Sequence, residues 1–206
     1  MIENDTFKTI SKVSKEVSFK DKNSKFYGYA FPVLSEDDVK IHLEKLKKSH
    51  PSAGHRCYAY QIGTRESAKT YRANDDGEPN NSAGMPIYGQ IQSYDLTNVL
   101  IVVVRYFGGT KLGVSGLINA YKTSANMAIE ASKIIERTIN VTYQLKFEYK
   151  NMNRVMRIIK ENNLNVINQI LELDCTIIVS VRLRDSNQIF EIFDHFHEID
   201  IQVLND

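Results

Sequence analysis

The sequence predicts an α+β protein of two domains, the second a ferredoxin-like βαββαβ unit, and three observations carry that prediction. All ten glycines lie between Gly28 and Gly116. Dense turn glycines in one stretch and none in the next mark two different architectures. The charge also divides: residues 1–140 hold 19 Lys/Arg and 15 Asp/Glu, residues 141–206 hold 7 and 10. A complete strand-helix-strand-strand-helix-strand order follows a long helical pattern, which is the split βαβ arrangement. The boundary is placed near Thr138–Val141, giving domains 1–138 and 139–206.

The first strands are read in EVSFKD and KFYGYAFPV, which are rich in aromatic and β-branched residues. Ser35 then opens SEDDVKIHLEKLKKSH, with Asp38 completing a capping box. Val39, Leu43 and Leu46 recur at helical spacing and lysines crowd the last turns, where cations complement the helix dipole. HRCYAYQIG (55–63) alternates as a strand, TYRANDDGEPNNSAG is turn chemistry, and MPIYGQIQSY is a short helix with Pro86 near its start. NVLIVVV (98–104) is an apolar β-branched run of the kind buried on both faces. Residues 114–135 read as one long helix, with Leu117, Ile118, Tyr121, Ala125, Ala128, Ile129 and Ser132 as its stripe.

In the second domain NVTYQLKFEY (140–149) is a strand and NMNRVMRIIKENN a helix facing inward through Val155, Ile158 and Ile159. NVINQILELDCTIIVSVRL holds two strands with a turn near Leu171–Asp174, and Leu173, Cys175, Ile177, Val179 and Val181 form an inward face. A helix capped by Ser186 carries Ile189, Ile192, Phe193 and Phe196, and DIQVLND closes the sheet.

Composition narrows the function classes. Apolar residues make up 42% of the 206 and charged residues 25%, which excludes wholesale disorder. The formal net charge of +1 excludes a polycationic nucleic-acid binder at whole-chain level and leaves local patches open. The longest apolar run, Val99 to Val104, falls far short of the roughly 18 residues a membrane helix needs. No apolar signal segment opens the chain, and Cys57 and Cys175 stand apart without a CxxC pair. A reducing, cytoplasmic setting is expected, with no disulfide framework and no membrane.

Four constellations could carry chemistry. In NDDGEPNNSAGMP (74–86), Asp75, Asp76 and Glu78 gather three carboxylates beside Gly77 and Pro79. They suit a hard cation such as Mg²⁺ or an acid–base pair, but Asp-Gly is also a common turn pair, and the turn is favoured. In RYFGGTKLGVSG (105–116), Gly108 and Gly109 precede Lys111 and a helix start. Free N–H groups, the dipole and the ammonium suit a phosphate. Glycine-dependent packing at Gly113 and Gly116 is the equal alternative, and the spacing fits neither a Walker A loop nor GxGxxG. His55 and Cys57 share one strand face, where a thiolate–imidazole pair competes with a buried structural cysteine, the favoured reading. Six lysines, Lys8 to Lys25, form an N-terminal arm read as a solvated face.

GHRCYAYQIG, DDGEPNNSAGMP and NVLIVVVRYFGGTKLGVSGLINAY together resemble the IMPACT/YigZ family of translation-associated proteins. Arg105, Gly108, Gly109, Lys111, Gly113, Asp76, Gly77, Glu78, Pro79 and Tyr121 match the family pattern. Asn80, Asn81, Ser82 and Met85 replace its usual Ser, Gly, Thr and Arg, and Ser115 and Asn119 stand where Gly and Arg are common. The resemblance implies a ribosomal-protein-S5-domain-2-like α/β first domain, like domain IV of elongation factor G. It implies a second domain like domain V of that factor.

It also implies a role in regulating translation. The expected function is a non-enzymatic module binding RNA, the ribosome or a translation-linked protein. Arg105, Gly108, Gly109, Lys111 and Gly113 are its anion-contacting segment. Arg105 closes a buried strand, so its guanidinium either emerges at that strand's end or pairs with an acid such as Asp76 or Glu78. Asp75, Asp76, Gly77, Glu78 and Pro79 are its motif loop. No cofactor, metal or catalytic residue is expected; the alternative is a metal-assisted hydrolase acting at the DDGEP loop.

Overall fold

A computed structural model of the chain describes residues 5–65 and 68–204. It forms two compact units, Phe7–Arg137 and Thr138–Asp206, and the second also takes in Asp5 and Thr6. Among the described residues, no helix is long and apolar enough to cross a membrane.

The first unit runs β1 (Thr6–Ile10), β2 (Val17–Asp21), β3 (Ser24–Pro32), α1 (Glu36–Ser49), β4 (His55–Ile62), β5 (Thr70–Asn74), α2 (Gly84–Ser93), β6 (Val99–Tyr106), α3 (Gly113–Glu130) and β7 (Ile134–Thr138). Its main sheet has the order β2-β3-β6-β4-β5, antiparallel throughout. The central strand β6 is apolar end to end because both of its faces are covered. Val99, Ile101 and Val103 join the core built with α2 and α3. Leu100, Val102 and Val104 join Val39 and Leu46 of α1 on the other side. A methyl group on Gly28 would stand 2.6 Å from the Ser124 carbonyl oxygen, so this glycine lets α3 lie directly on β3.

Ser35 caps α1 as its sequence requires. Its Oγ accepts from the Asp38 N–H at 3.2 Å, and Asp38 Oδ2 accepts from the Ser35 N–H at 3.1 Å. Elsewhere the first unit departs from the expected elements. Thr70–Asn74 is a strand, paired with β4 from Tyr58↔Asn74 to Ile62↔Thr70, where turn chemistry was expected. The long helix stops at Glu130, and Ile134–Thr138 turns back as β7 to pair with β1. That pairing joins segments over 120 residues apart in sequence, which local periodicity cannot register. Ile118 sits on the outer flank of α3 and is exposed, while Ala120 and Ser124 take the inner positions.

The second unit runs β8 (Asn140–Glu148), a 3₁₀ turn (Tyr149–Asn151), α4 (Met152–Glu161), β9 (Asn165–Ile170), β10 (Asp174–Arg182), α5 (Leu183–Asp194) and β11 (Ile199–Leu204). The sheet order β11-β8-β10-β9 puts the first and third strands at the centre, the ferredoxin-like topology. One face packs on both helices through Tyr143, Leu145, Ile177, Val179, Val155 and Phe193. Two expectations are corrected here. α5 begins at Leu183, a turn before Ser186, whose hydroxyl donates to the Leu183 carbonyl at 2.6 Å instead of capping. Leu173 lies in the β9–β10 turn, 87% exposed, outside the inward face that starts at Cys175. Asp5 belongs to this unit because Arg182 donates to both of its oxygens, which holds its carboxyl below the usual range.

Candidate functional site

The DDGEP loop links β5 to α2, and its backbone is set by two left-handed residues, Asp76 (φ 42°) and Gly77 (φ 85°). Each carboxylate is then committed to holding a different neighbour. Asp75 Oδ1 accepts from the N–H groups of Ala83 and Gly84 at 2.9 and 2.8 Å, while Oδ2 accepts from Asn81 at 2.9 Å. It thereby satisfies backbone donors at the start of α2, which lacks a cap from its own flanking side chain. Asp76 Oδ2 accepts from the Arg56 N–H at 2.7 Å and fixes the loop to the start of β4.

His55 and Cys57 clamp the same loop from β4. His55 Nδ1 donates to the Asp76 carbonyl at 2.7 Å, and the Cys57 thiol to the Asp75 carbonyl at 3.0 Å. Burial pushes the Cys57 thiol well above its usual range, so it remains a neutral donor, and the thiolate–imidazole alternative gives way to the structural one.

Glu78 turns inward. Its Oε1 accepts from Arg105 Nη1 at 2.6 Å and from the Tyr121 hydroxyl at 2.7 Å, and it stands 4.0 Å from His55 Nε2. The Glu78 and Arg105 side chains are 4% and 6% exposed. Two rings flank the guanidinium, Phe26 at 5.5 Å and Phe107 at 5.6 Å from its carbon to their centroids. Burial and the adjacent carboxylate keep the Tyr121 phenol protonated far above its ordinary range, as a donor to Glu78 requires. Arg105 is therefore paired with the acidic loop, and its guanidinium does not emerge at the strand end as a phosphate contact.

Beyond β6, a methyl group on Gly108 would stand 2.0 Å from the Asn23 carbonyl carbon, and the Gly108 N–H donates to Ser24 Oγ at 3.2 Å. Gly108 is where the strand exit passes against the β2–β3 hairpin. Gly109 and Gly113 take positive φ values of 85° and 74°, and neither would meet a neighbour with an added methyl. Lys111 is exposed, just ahead of α3, whose first turn has no side-chain cap.

The structure thus brings together Asp75, Asp76, Glu78, His55, Cys57 and Arg105, and leaves Lys111 in solvent. It adds Tyr121 and Ser24, which sequence reasoning did not place in the site. The signal for Tyr121 was a hydroxyl on an otherwise apolar helix stripe, which must find an acceptor when buried. Among the described residues, no three His, Cys, Asp or Glu side chains are arranged to hold a metal ion.

An antiparallel sheet covered on both faces and a ferredoxin-like unit, with a buried guanidinium–carboxylate knot in the first, define a two-domain α+β protein. The family model for the Impact N-terminal domain matches residues 22–129, a span that contains the whole knot. This chain belongs to the IMPACT family. It is 33% identical over 141 residues to the IMPACT family member YvyE of Bacillus subtilis, covering 68% of this chain and 64% of that relative. It is 29% identical over 147 residues to the IMPACT family member YigZ of Escherichia coli, covering 71% and 72%. Its fold matches a crystal structure of a hypothetical protein with a TM-score of 0.73 at 22% identity, over 98% of each chain.

Proposed function

We propose that this protein is a translation-linked binding module that contacts RNA or the ribosome through its N-terminal domain. Membership of the IMPACT family supports the link to translation. The observation that carries binding over catalysis is the commitment of all three loop acids: Asp75 holds α2, Asp76 holds β4 and Glu78 neutralises Arg105. A metal-assisted hydrolase acting at this loop would need carboxylates turned toward a substrate. Here the acids set the shape of a surface. Lys111, Gly109 and Gly113 at the start of α3 are the segment assigned to a phosphate, with Arg105 as the residue that positions the loop behind it.

Co-sedimentation with ribosomes at two salt concentrations tests this reading. Wild-type binding weakens as salt rises, and Lys111→Ala lowers the slope of log affinity against log salt by about one unit while leaving the melting temperature unchanged. Salt-independent sedimentation, or an unchanged slope in the folded variant, removes Lys111 from the interface.

A further inference from the structure

The end of the main sheet where β6 leaves for Gly108 carries a second feature, built from the hairpin lysines and three rings. Asn23, Lys25, Tyr27, Tyr106 and Phe107 line a cavity of about 270 Å³. Lys20, Lys25 and Tyr106 stand opposite one another across β2, β3 and β6. Val17 and Phe19 turn to the α3 side of the sheet, so alternation turns Lys20 to the other face, with Lys25 and Tyr27. Lys22 and Asn23 form the hairpin turn, both at positive φ, which sets Lys22 at its tip. Gly108 packs against the Asn23 backbone and fixes that turn beside the cavity.

The rings are held in place. Tyr27 and Tyr106 meet edge to face, with centroids 5.8 Å apart and planes at 87°. His50 Nδ1 bonds the Tyr106 hydroxyl at 2.9 Å. Phe107 is 57% exposed, yet the Arg105 guanidinium lies 5.6 Å from its centroid and fixes it from within. Among the described residues, no carboxylate pairs with Lys20, Lys22 or Lys25. Fixed aromatic faces beside unpaired ammonium groups match one ligand chemistry, an unpaired base with its flanking phosphates. A cavity this small, below the usual 300–1,000 Å³ range of small-molecule pockets, suits a single base.

We propose that this cleft holds one unstacked base of a single-stranded nucleic acid, with Lys20, Lys22 and Lys25 on the adjoining phosphates. It rests on the RNA-binding reading above for the choice of RNA. It assigns that RNA contacts beyond Lys111, and a single strand in preference to a duplex, because a paired base has no free face to stack.

The test is fluorescence anisotropy with a labelled oligouridylate, the matching oligothymidylate and an RNA duplex. Phe107→Ala is expected to weaken oligouridylate binding by about 5- to 150-fold, the range of one lost base stack. Lys25→Gln, at an exposed strand position, lowers the salt slope by about one unit. Duplex RNA binds more weakly than the single strand, and equal binding of the DNA strand assigns the cleft to either sugar. No wild-type binding to the single strands, or unchanged affinity in Phe107→Ala and Lys25→Gln, overturns the cleft. Ribosome co-sedimentation that still depends on Lys111 would then leave the broader reading standing, and loss of both would end both.

Discussion

The two domains solve the problem of burial in different ways. The C-terminal domain covers one face of its sheet with two helices and fills the gap with apolar side chains, Leu145, Ile177, Val179 and Phe193 among them. Apart from Asp5, its buried polar residue among the described residues is Ser186, whose hydroxyl bonds locally. The N-terminal domain covers both faces of its sheet and buries Arg105, Ser24, Ser82, Gln90 and Ser124, with the Glu78 side chain beside them. An apolar core asks only for pattern and volume, and many sequences supply both. A buried charge network demands particular partners at particular atoms. Of the residues that match the family pattern, Glu78, Arg105, Tyr121 and Gly108 are ones that its N-terminal network and close approaches require.

The largest expected effect breaks that contrast directly. Arg105→Met leaves Glu78 buried without its guanidinium partner, with one hydrogen-bond donor, Tyr121, and with the His55 imidazole 4.0 Å away. Truncating one partner of a buried ion pair costs about 3–5 kcal/mol. Denaturant unfolding of the full chain, followed by separate probes in each domain, should show the loss in the N-terminal transition alone. The double variant Arg105→Met with Glu78→Leu should recover most of it, since apolar residues of similar volume often replace a buried pair at little cost. A single variant that loses less than about 1 kcal/mol would place the pair's energetics with exposed salt bridges.

Gly108→Ala is the next step down. The added methyl meets the Asn23 backbone at 2.0 Å, and a hairpin turn must shift to admit it. Overpacking of this kind costs roughly 1–3 kcal/mol. Gly109→Ala meets no atom and bears only the left-handed penalty of about 1–2 kcal/mol. If Gly109→Ala proves the more damaging of the two, conformation and not close approach governs the glycine pair.

The ferredoxin-like domain was legible in sequence almost throughout, because its alternation and its helical stripes report one buried face each. Leu173 misled because alternation continues into a turn without a mark. Ser186 misled because a serine near a helix start looks like a cap wherever the first turn falls. In the N-terminal domain β2, β3, β4, β6 and the Ser35 cap were legible. β7 depends on a partner over 120 residues away, while β5 pairs with nearby β4 and was hidden because its five residues run straight into the turn chemistry of the DDGEP loop. The site was legible as residue types and not as roles. Asp75, Asp76 and Glu78 lie within four positions, yet Asp75 faces a helix end, Asp76 a strand start and Glu78 the core. A charge pattern cannot show which way each carboxylate turns. The pairing of Arg105 with Glu78 was one of the two outcomes the sequence left open, and the buried guanidinium decides it.

Acid should separate the domains by a smaller amount. Burial holds His50 below its ordinary 6.5, with Glu16 opposing and Arg56 reinforcing the shift. Its contacts include the Tyr29 hydroxyl at 2.6 Å from Nε2, and Tyr29 also donates to Glu16. The unfolded chain binds the proton more readily, so N-terminal stability is intact above about pH 6.5 and falls as pH drops toward the folded-state value. His42, also lowered by burial, acts in the same direction. Melting temperature of the N-terminal transition, followed from pH 7.5 to 5.5, should fall, and His50→Gln should flatten the curve. A curve that rises toward acid would contradict the burial of both imidazoles.

The smallest effect is Lys111→Ala, and its smallness is the point. Lys111 is exposed and lies ahead of α3 rather than within its apolar stripe. A surface substitution of this kind changes stability by less than about 0.5 kcal/mol. Arg105→Met, six residues earlier, is expected to unfold the domain far more readily while acting on RNA only through the loop and ring it positions. The two cations of one short motif thus separate into a structural one and a free one. Thermal melting and ribosome co-sedimentation on both variants read the separation: stability falls with Arg105 alone, and the salt slope falls in a fully folded Lys111→Ala protein. If Lys111→Ala instead melts early, its ammonium completes the helix start as Asp75 does for α2, and RYFGGTKLG becomes a folding motif from end to end.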